Sequence, residues 1–270
     1  MAPLEHSLPC RDMLAYADIV SAAYLDRSSR LGTFEGEKAA LQYGLCLPRS
    51  YHGFMCRGAG RIELDVLEEC RQATAGDPGL FDCFFHPAGP LRERLELSLG
   101  KNPELRELSS FLSKPRSAEQ PPHEDNAAAT EGNYVTLFFG VQHRVSGAGG
   151  TSFFEQSAAL PPTKRSAFCK RLIADPRSAA CTTIQLELGQ YLTFSLHMVH
   201  YGKSNLGFDH NRILGSALYA RRGAPDLPQN RAHHPLPARS QRQRPTAEAR
   251  QALLLVREVT APFHTSSAGC

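Results

Sequence analysis

The chain has 270 residues, of which 41% are hydrophobic and 21% charged, and its formal net charge is +3. This composition is typical of a globular protein with enough apolar side chains for a sizeable core. The small net charge argues against nucleic acid as the main partner. No apolar run approaches the ~20 residues that span a bilayer, and residues 1–10 lack the pattern of a secretory signal, so we expect a cytoplasmic protein that does not bind membranes.

The cysteines are scattered, and none of them forms a Cys-x-x-Cys pair. This spacing disfavours a zinc ribbon or a thioredoxin-like motif. In a protein without a secretory signal we expect mostly reduced thiols, several of them packed in the core. Their positions are 10, 46, 56, 70, 83, 169, 181 and 270.

The first 104 residues are predicted to form a helical support region packed on a core. Helices are predicted over residues 12–25, 61–72 and 91–99, the last ending at Gly100. The prediction for 61–72 rests on Ile62, Val66, Leu67 and Cys70, which fall on one face at helical spacing.

From residue 105 the pattern changes to short apolar runs separated by Gly- and Pro-rich turns. Strands are predicted over 108–112, 134–141, 151–155, 182–188, 191–196 and 212–220, with one helix over 164–174. Many short strands at close spacing indicate a sandwich or barrel that spans residues 105–222. Residues 223–270 are rich in Pro, Arg and Gln and predict a poorly ordered basic tail, with one short helix over 247–259.

The segment Gln120-Pro121-Pro122-His123-Glu124-Asp125 contains the first candidate metal ligands. Its two prolines exclude a helix and hold the chain extended. Residues two apart in an extended chain point to the same side. We therefore expect His123 and Asp125 to face one ion, while Glu124 points away.

A second candidate ligand, His200, directly follows a predicted strand, and Arg212 begins the next one. Two imidazoles and one carboxylate make the facial triad that holds Fe(II) and leaves the opposite face open. The guanidinium of Arg212 suits bidentate pairing with a carboxylate. His197 competes for the ligand role, but an extended chain turns residues 197 and 200 to opposite sides. We prefer His200 and leave His197 as a packed histidine or one that supports the ligands.

Several stretches together resemble the phytanoyl-CoA dioxygenase family and are similar to the wider Fe(II)/2-oxoglutarate oxygenase superfamily. They are Phe111–Pro115, Gln120–Asp125, Tyr134–Leu137, Gly149–Phe153, Leu188–Phe194, His200–Asn205 and Arg212, within residues 105–222. The resemblance implies a mainly β fold with flanking helices and a double-stranded β-helix (jelly-roll) core. It implies iron bound by His123, Asp125 and His200, and 2-oxoglutarate bound by Arg212, with Asn205 at a polar position near the cofactor. The chain departs from the family pattern at Tyr201, where a small residue is usual, and in the run that begins at Gly149.

The resemblance implies a hydroxylase that uses Fe(II), 2-oxoglutarate and O2, acts on a small organic substrate and releases succinate and CO2. The carboxylate of Asp125 favours hydroxylation over halogenation, which usually needs a small residue at that position. Two alternatives remain open at this point. One is a cupin-type metal protein that does not use 2-oxoglutarate, and the other is an inactive jelly-roll binding protein.

Overall fold

The computed structural model describes residues 7–31, 54–56, 61–125, 132–143, 147, 149–175, 177–207 and 210–227. Its helices are α1 (Cys10–Leu31), α2 (Leu67–Gly76), α3 (Asp82–Phe85), α4 (Gly89–Leu99) and α5 (Pro162–Ala174), with a 3-10 helix at Glu155–Ala159. Its strands are β1 (Phe54–Cys56), β2 (Arg61–Asp65), β3 (Glu104–Ser113), β4 (Tyr134–Gly140), β5 (Thr151–Phe153), β6 (Thr182–Ile184), β7 (Tyr191–Ser195), β8 (His200–Gly202) and β9 (Arg212–Ala220).

The larger sheet of the described chain has six strands in the order β1-β2-β3-β9-β4-β7, and every neighbouring pair is antiparallel. Its central strands β4 and β9 are buried along their whole length, as expected for strands covered on both faces. Successive side chains point to opposite faces, so Leu137 and Phe139 pack with the helices while Phe138 packs between the two sheets.

The helices of the first third cover the outer face of this sheet. Met13, Tyr16 and Val20 of α1 are fully buried, at the helical spacing of one apolar face. The Tyr16 hydroxyl donates a hydrogen bond of 2.7 Å to the carbonyl of Ser109 in β3, which ties α1 to the sheet.

A smaller sheet, in the order β6-β5-β8, faces the inner side of the larger one. Phe153 of β5 packs against Phe138 and Phe194, with ring centroids 6.5 and 5.1 Å apart. Helix α5 covers the outer face of the smaller sheet, where Phe168 and Leu172 pack with Val199 and Tyr201.

This architecture confirms the predicted fold class, mainly β with flanking helices and a jelly-roll core. The predicted helix over 61–72 is wrong in its first half, because Arg61–Asp65 forms β2 and the helix begins only at Leu67. The predicted helix over 247–259, and most of the tail that contains it, lie outside the described residues. Within the described part of the chain, no helix is long and apolar enough to cross a membrane.

Candidate metal and cofactor site

The two candidate histidine ligands lie directly opposite each other on neighbouring extended segments. His123 and His200 exchange both backbone hydrogen bonds, with N···O distances of 3.0 and 2.9 Å. Gln120 makes a third bond to Gly202, so residues 120–123 run antiparallel to β8 despite the two prolines, which have no N–H to donate. Directly opposite residues share one face of a sheet, and the two imidazole centroids are therefore only 4.8 Å apart.

Each imidazole is oriented by a backbone carbonyl. The Nδ1 atom of His123 lies 2.9 Å from the carbonyl oxygen of Pro121, and that of His200 lies 2.9 Å from the carbonyl oxygen of Met198. A neutral imidazole that donates from Nδ1 leaves the lone pair of Nε2 free for a metal. The local backbone thus selects the tautomer that both ligands need.

Asp125 is the third member of this cluster. Its Oδ1 atom lies 3.5 Å from Nε2 of His200 and 3.9 Å from Nε2 of His123. The ligand atoms of the three residues all lie within 4.8 Å of one another. Metal–ligand bonds of about 2.1 Å at right angles would place neighbouring ligand atoms roughly 3 Å apart, so a small contraction suffices to bind an ion. The donor set of two neutral nitrogens and one carboxylate fits Fe(II).

Aromatic rings fix the position of His200. Its imidazole stacks on Phe153 at 5.7 Å and meets the edges of Phe138 and Phe194 at 5.9 and 5.2 Å. Only 3% of His200 is exposed. This packing limits the ring to one orientation and gives the site an apolar wall.

The cluster opens into a cavity between the two sheets. Its lining combines the three ligands with two arginines, several polar groups and an apolar wall: Arg61, Phe111, Ser113, Gln120, His123, Asp125, Phe138, Thr151, His200, Gly202, Arg212 and Leu214.

Arg212 lies in this cavity together with the ligand cluster. Its guanidinium donates to the carbonyl of Gly150 at 3.0 Å and to the hydroxyl of Thr151 at 3.1 Å. Burial, together with the nearby charge of Arg61, lowers the pKa of Arg212 to about 9. A buried guanidinium whose charged form is disfavoured in this way gains when an anion binds beside it.

Arg61 is a second cation of the cavity, and the sequence analysis missed it. Its guanidinium donates to the Ser113 hydroxyl at 2.6 Å and to the carbonyls of Ala118, Gly202 and Lys203. Burial lowers its pKa to about 10, although the charge of Glu119 acts in the opposite direction.

The register of three strands explains why the two arginines meet. Arg61 pairs with Ser113 across β2 and β3, and Ser113 pairs with Arg212 across β3 and β9. Residues that lie directly opposite one another on neighbouring strands share one face of the sheet. The Cα atoms of Arg61 and Arg212 are separated by two strand spacings, or roughly 10 Å. The sheet therefore presents two guanidiniums side by side at the edge of the candidate ligand cluster.

Asn205 occupies a different place from the one expected. It is 1% exposed and does not line the cavity that holds the ligands. Its amide nitrogen donates to the carbonyls of Ser113 and His210 at 3.0 and 2.9 Å, and its oxygen accepts from the N–H of Gly207. Because both ends of the amide are used to tie the β8–β9 connection together and to the end of β3, the structure favours a role in holding this loop over direct contact with a cofactor.

The remaining candidate residues lie away from the cavity. Glu124 points to the opposite side of its segment from the ligands, as expected, and its Oε2 lies 3.2 Å from Nε of Arg165. His197 is 3% exposed and does not line the cavity. His143 is exposed and His210 is half-buried. Within the described residues the thiols of Cys10, Cys70, Cys83, Cys169 and Cys181 are free.

No protein-family model matches the chain, and no curated protein matches it either. Solved structures with a similar fold include EvdMO1, at 16% identity and a TM-score of 0.43 over 58% of this chain and 35% of that one. They include the epimerase SnoN in complex with Fe3+, alpha ketoglutarate and nogalamycin RO, at 18% identity and a TM-score of 0.44 over 83% of this chain and 94% of that one. HygX from Streptomyces hygroscopicus, with nickel and 2-oxoglutarate bound, has 15% identity and a TM-score of 0.44 over 73% of this chain and 80% of that one.

The chain thus spans about a third of the length of EvdMO1, the match covering 35% of that protein. At these identities and TM-scores, the assignment of a function depends on the residues of the site itself.

Proposed function

We propose that the protein is an Fe(II)- and 2-oxoglutarate-dependent dioxygenase, related to the phytanoyl-CoA dioxygenase family, that hydroxylates a small organic substrate. One observation carries this proposal. The ligand atoms of His123, Asp125 and His200 converge in the same cavity as the buried guanidiniums of Arg61 and Arg212. A set of three such ligands alone is found in many metalloproteins. Three ligands beside two arginines, in contrast, fit a dicarboxylate that chelates the metal at one end.

The ligands and the two arginines have separate roles in this proposal. His123, Asp125 and His200 would hold the iron, which would supply O2 activation coupled to the oxidative decarboxylation of 2-oxoglutarate to succinate and CO2. Arg212 binds the far carboxylate of 2-oxoglutarate through its planar donor fork. Arg61 adds a second positive charge on the same face, which favours a dianion over a monoanion.

The apolar wall of the cavity serves the same chemistry. Phe111 and Phe138 meet at 5.9 Å and line the cavity together with Leu214. Apolar side chains beside the metal keep water away from the reacting atoms and strengthen the electrostatic contacts of the arginines.

Hydroxylation is the reaction that Asp125 favours. Its carboxylate would occupy a ligand position that a halogenase keeps free for halide. The cupin-type alternative does not require two buried arginines beside the metal. The inactive binding protein does not require both imidazoles to present Nε2 to the same point.

The test is formation of succinate from 2-oxoglutarate by purified protein supplied with Fe(II), ascorbate and O2. We expect slow turnover without a primary substrate, strict dependence on Fe(II), and loss of succinate in His200→Ala. His143→Ala is the matched control, because His143 is exposed and lies outside the cavity. If succinate forms equally fast in His200→Ala, or if the wild-type protein forms none, the proposed activity is wrong.

A further inference from the structure

A buried polar cluster lies behind the metal ligands, on the face of the His-x-Asp segment that is turned away from the cavity. It consists of Glu124, Arg165 and His197. The Oε2 atom of Glu124 lies 3.2 Å from Nε of Arg165 and 3.8 Å from Nδ1 of His197. The side chains of Arg165 and His197 are only 1% and 4% exposed, and that of Glu124 is 11% exposed. None of the three lines the metal cavity.

Two members of this cluster come from the segments that carry the candidate ligands, and the third comes from a helix packed beside them. Glu124 stands between His123 and Asp125, and His197 lies in the turn that leads from β7 into the strand of His200. Arg165 belongs to α5, the helix that packs on the outer face of β8 through Phe168 and Leu172. The carboxylate of Glu124 thus lies between His123 and Asp125 in the sequence and faces His197, which precedes His200.

Asp125 is the ligand that most needs such support. Within the described residues, the last backbone hydrogen bond of its segment is made by His123, and the side chain of Asp125 is 30% exposed. The neighbouring Glu124 forms an ion pair with Arg165 of α5. The Nη1 atom of Arg165 also donates a hydrogen bond of 2.7 Å to the carbonyl of Leu160. Charge interactions at buried positions are much less screened than at the surface. The ion pair therefore links the residue before Asp125 to helix α5.

We propose that Arg165 is a positioning residue of the metal site, which acts through Glu124 to hold Asp125 at bonding distance from the ion bound by His123 and His200. His197 shares this contact from the turn before β8. The inference rests on the proposed function only in so far as the three ligands bind a metal, and it does not depend on 2-oxoglutarate. Helix α5 thus supports the metal site through Arg165, although the helix lies outside the cavity.

The test uses Co(II) as the probe, because its visible spectrum reports both the affinity and the number of ligands. Arg165→Met and Glu124→Gln each remove the ion pair while keeping most of the side-chain volume. We expect each to weaken Co(II) binding about 10- to 100-fold, the range found when groups that orient metal ligands are replaced. Arg171→Met is the matched control: it removes an exposed arginine from the same helix and should leave the affinity unchanged.

A second readout separates positioning from simple stabilisation. Asp125→Ala should weaken Co(II) binding strongly in the wild-type background and much less in the Arg165→Met background, because Asp125 is already displaced there. A purely structural arginine would lower the unfolding temperature but leave the effect of Asp125→Ala intact. If Arg165→Met does not unfold cooperatively, Arg165→Lys, which keeps the charge but loses the fork, should show an intermediate affinity.

The outcomes distinguish this inference from the proposed function. Wild-type Co(II) affinity in both Arg165→Met and Glu124→Gln overturns the inference and leaves the oxygenase proposal standing. Weakened Co(II) binding in both variants, in a protein that does not bind 2-oxoglutarate, supports the inference and contradicts the oxygenase proposal. A wild-type protein that binds no Co(II) overturns both.

Discussion

Arg61 and Arg212 are buried cations that lie beside the candidate metal ligands on one face of the larger sheet. Burial lowers the pKa of both side chains, and the charge of Arg61 lowers that of Arg212 further. Keeping these side chains charged in the free protein therefore costs free energy, which the binding of a dianion would offset. This is the physical basis for expecting a dicarboxylate in the cavity.

Arg212→Met should weaken 2-oxoglutarate binding without removing the metal. A charge-assisted hydrogen bond contributes about 1.5–3 kcal/mol, so the loss of a bidentate pair weakens binding by about 100-fold or more. Calorimetric titration of the Ni(II)-loaded protein with 2-oxoglutarate measures this directly. Arg221→Met, at the exposed end that follows β9, is the control, and an unchanged affinity in Arg212→Met would exclude the assigned role.

Asn205→Ala should destabilise the protein. The change leaves the buried carbonyls of Ser113 and His210 without their amide donor, which costs about 2–4 kcal/mol in total. Urea unfolding of the metal-free protein measures this loss. Leu206→Ala, at a neighbouring side chain that is 68% exposed, should stay within about 0.5 kcal/mol of wild type. A stable Asn205→Ala protein with weakened 2-oxoglutarate binding would instead restore the cofactor role expected from the sequence.

At the scale of elements, the start of β5 determines where the acceptors of Arg212 lie. A Cβ atom at Gly150 would stand 2.3 Å from the carbonyl oxygen of Ile184 in β6, and one at Gly149 would stand 2.4 Å from that of Ser204. Both contacts are with backbone, which cannot move aside as a side chain can. Glycine at these positions therefore lets two neighbouring segments approach β5.

Gly150→Ala should force β5 and β6 apart and displace the Gly150 carbonyl that accepts a hydrogen bond from Arg212. We expect a loss of stability of about 1–3 kcal/mol, as for overpacked interiors, together with weaker 2-oxoglutarate binding. Urea unfolding and calorimetry provide the two measurements. Gly76→Ala is the control, since a Cβ there meets no atom within 4 Å. Wild-type values for both quantities in Gly150→Ala would show that the close approach is unimportant.

The sequence predicted most elements from local periodicity, and it failed where two periods overlap. Arg61-Ile62-Glu63-Leu64-Asp65 alternates charged and apolar residues, which is a strand signal. The helical spacing of Ile62, Val66 and Cys70 masked it, because the following helix continues the apolar pattern. Reading this segment as a helix hid Arg61, whose contacts with Ser113 and Gly202 depend on strand pairing that no local pattern encodes.

The ligand cluster, in contrast, was predictable from local geometry. His123 and Asp125 share a side because prolines keep their segment extended. His200 was preferred over His197 because Gly202, Ser204 and Asn205 follow it, and the alternation assumed between the two does not hold, because His197 lies in a turn. The structure brings the three chosen residues together. The backbone pairing of His123 with His200 and the cluster around Arg165 join distant parts of the chain, so they become visible only in the folded molecule.

At the scale of the whole molecule, the first third of the chain and the jelly-roll strands share one sheet. Strand β2 pairs with β3 along five residue pairs, from Arg61↔Ser113 to Asp65↔Ser109. Helix α1 adds Met13, Tyr16 and Val20 to the core on the outer face of the sheet. The segment assigned to support thus supplies both a strand and one of the two arginines of the cavity.

A fragment of residues 105–222 should therefore not fold cooperatively on its own. It exposes the edge of β3 and the apolar face that α1 covers, and exposed sheet edges and apolar patches favour aggregation. Circular dichroism during thermal unfolding tests this expectation, with the full chain as the reference. A fragment that unfolds cooperatively and binds Fe(II) and 2-oxoglutarate as the full chain does would show that residues 1–104 are dispensable.

The central claim is that one cavity holds Fe(II) and 2-oxoglutarate together. Its most direct test is an anaerobic titration of the metal-free protein, first with Fe(II) and then with 2-oxoglutarate, followed by visible absorption. We predict the weak charge-transfer band of the iron–2-oxoglutarate chelate in the wild-type protein, its loss in His200→Ala and its weakening in Arg212→Ala. Iron binding without the band would contradict the claim and favour a cupin-type metal protein, and no iron binding would contradict the metal site itself.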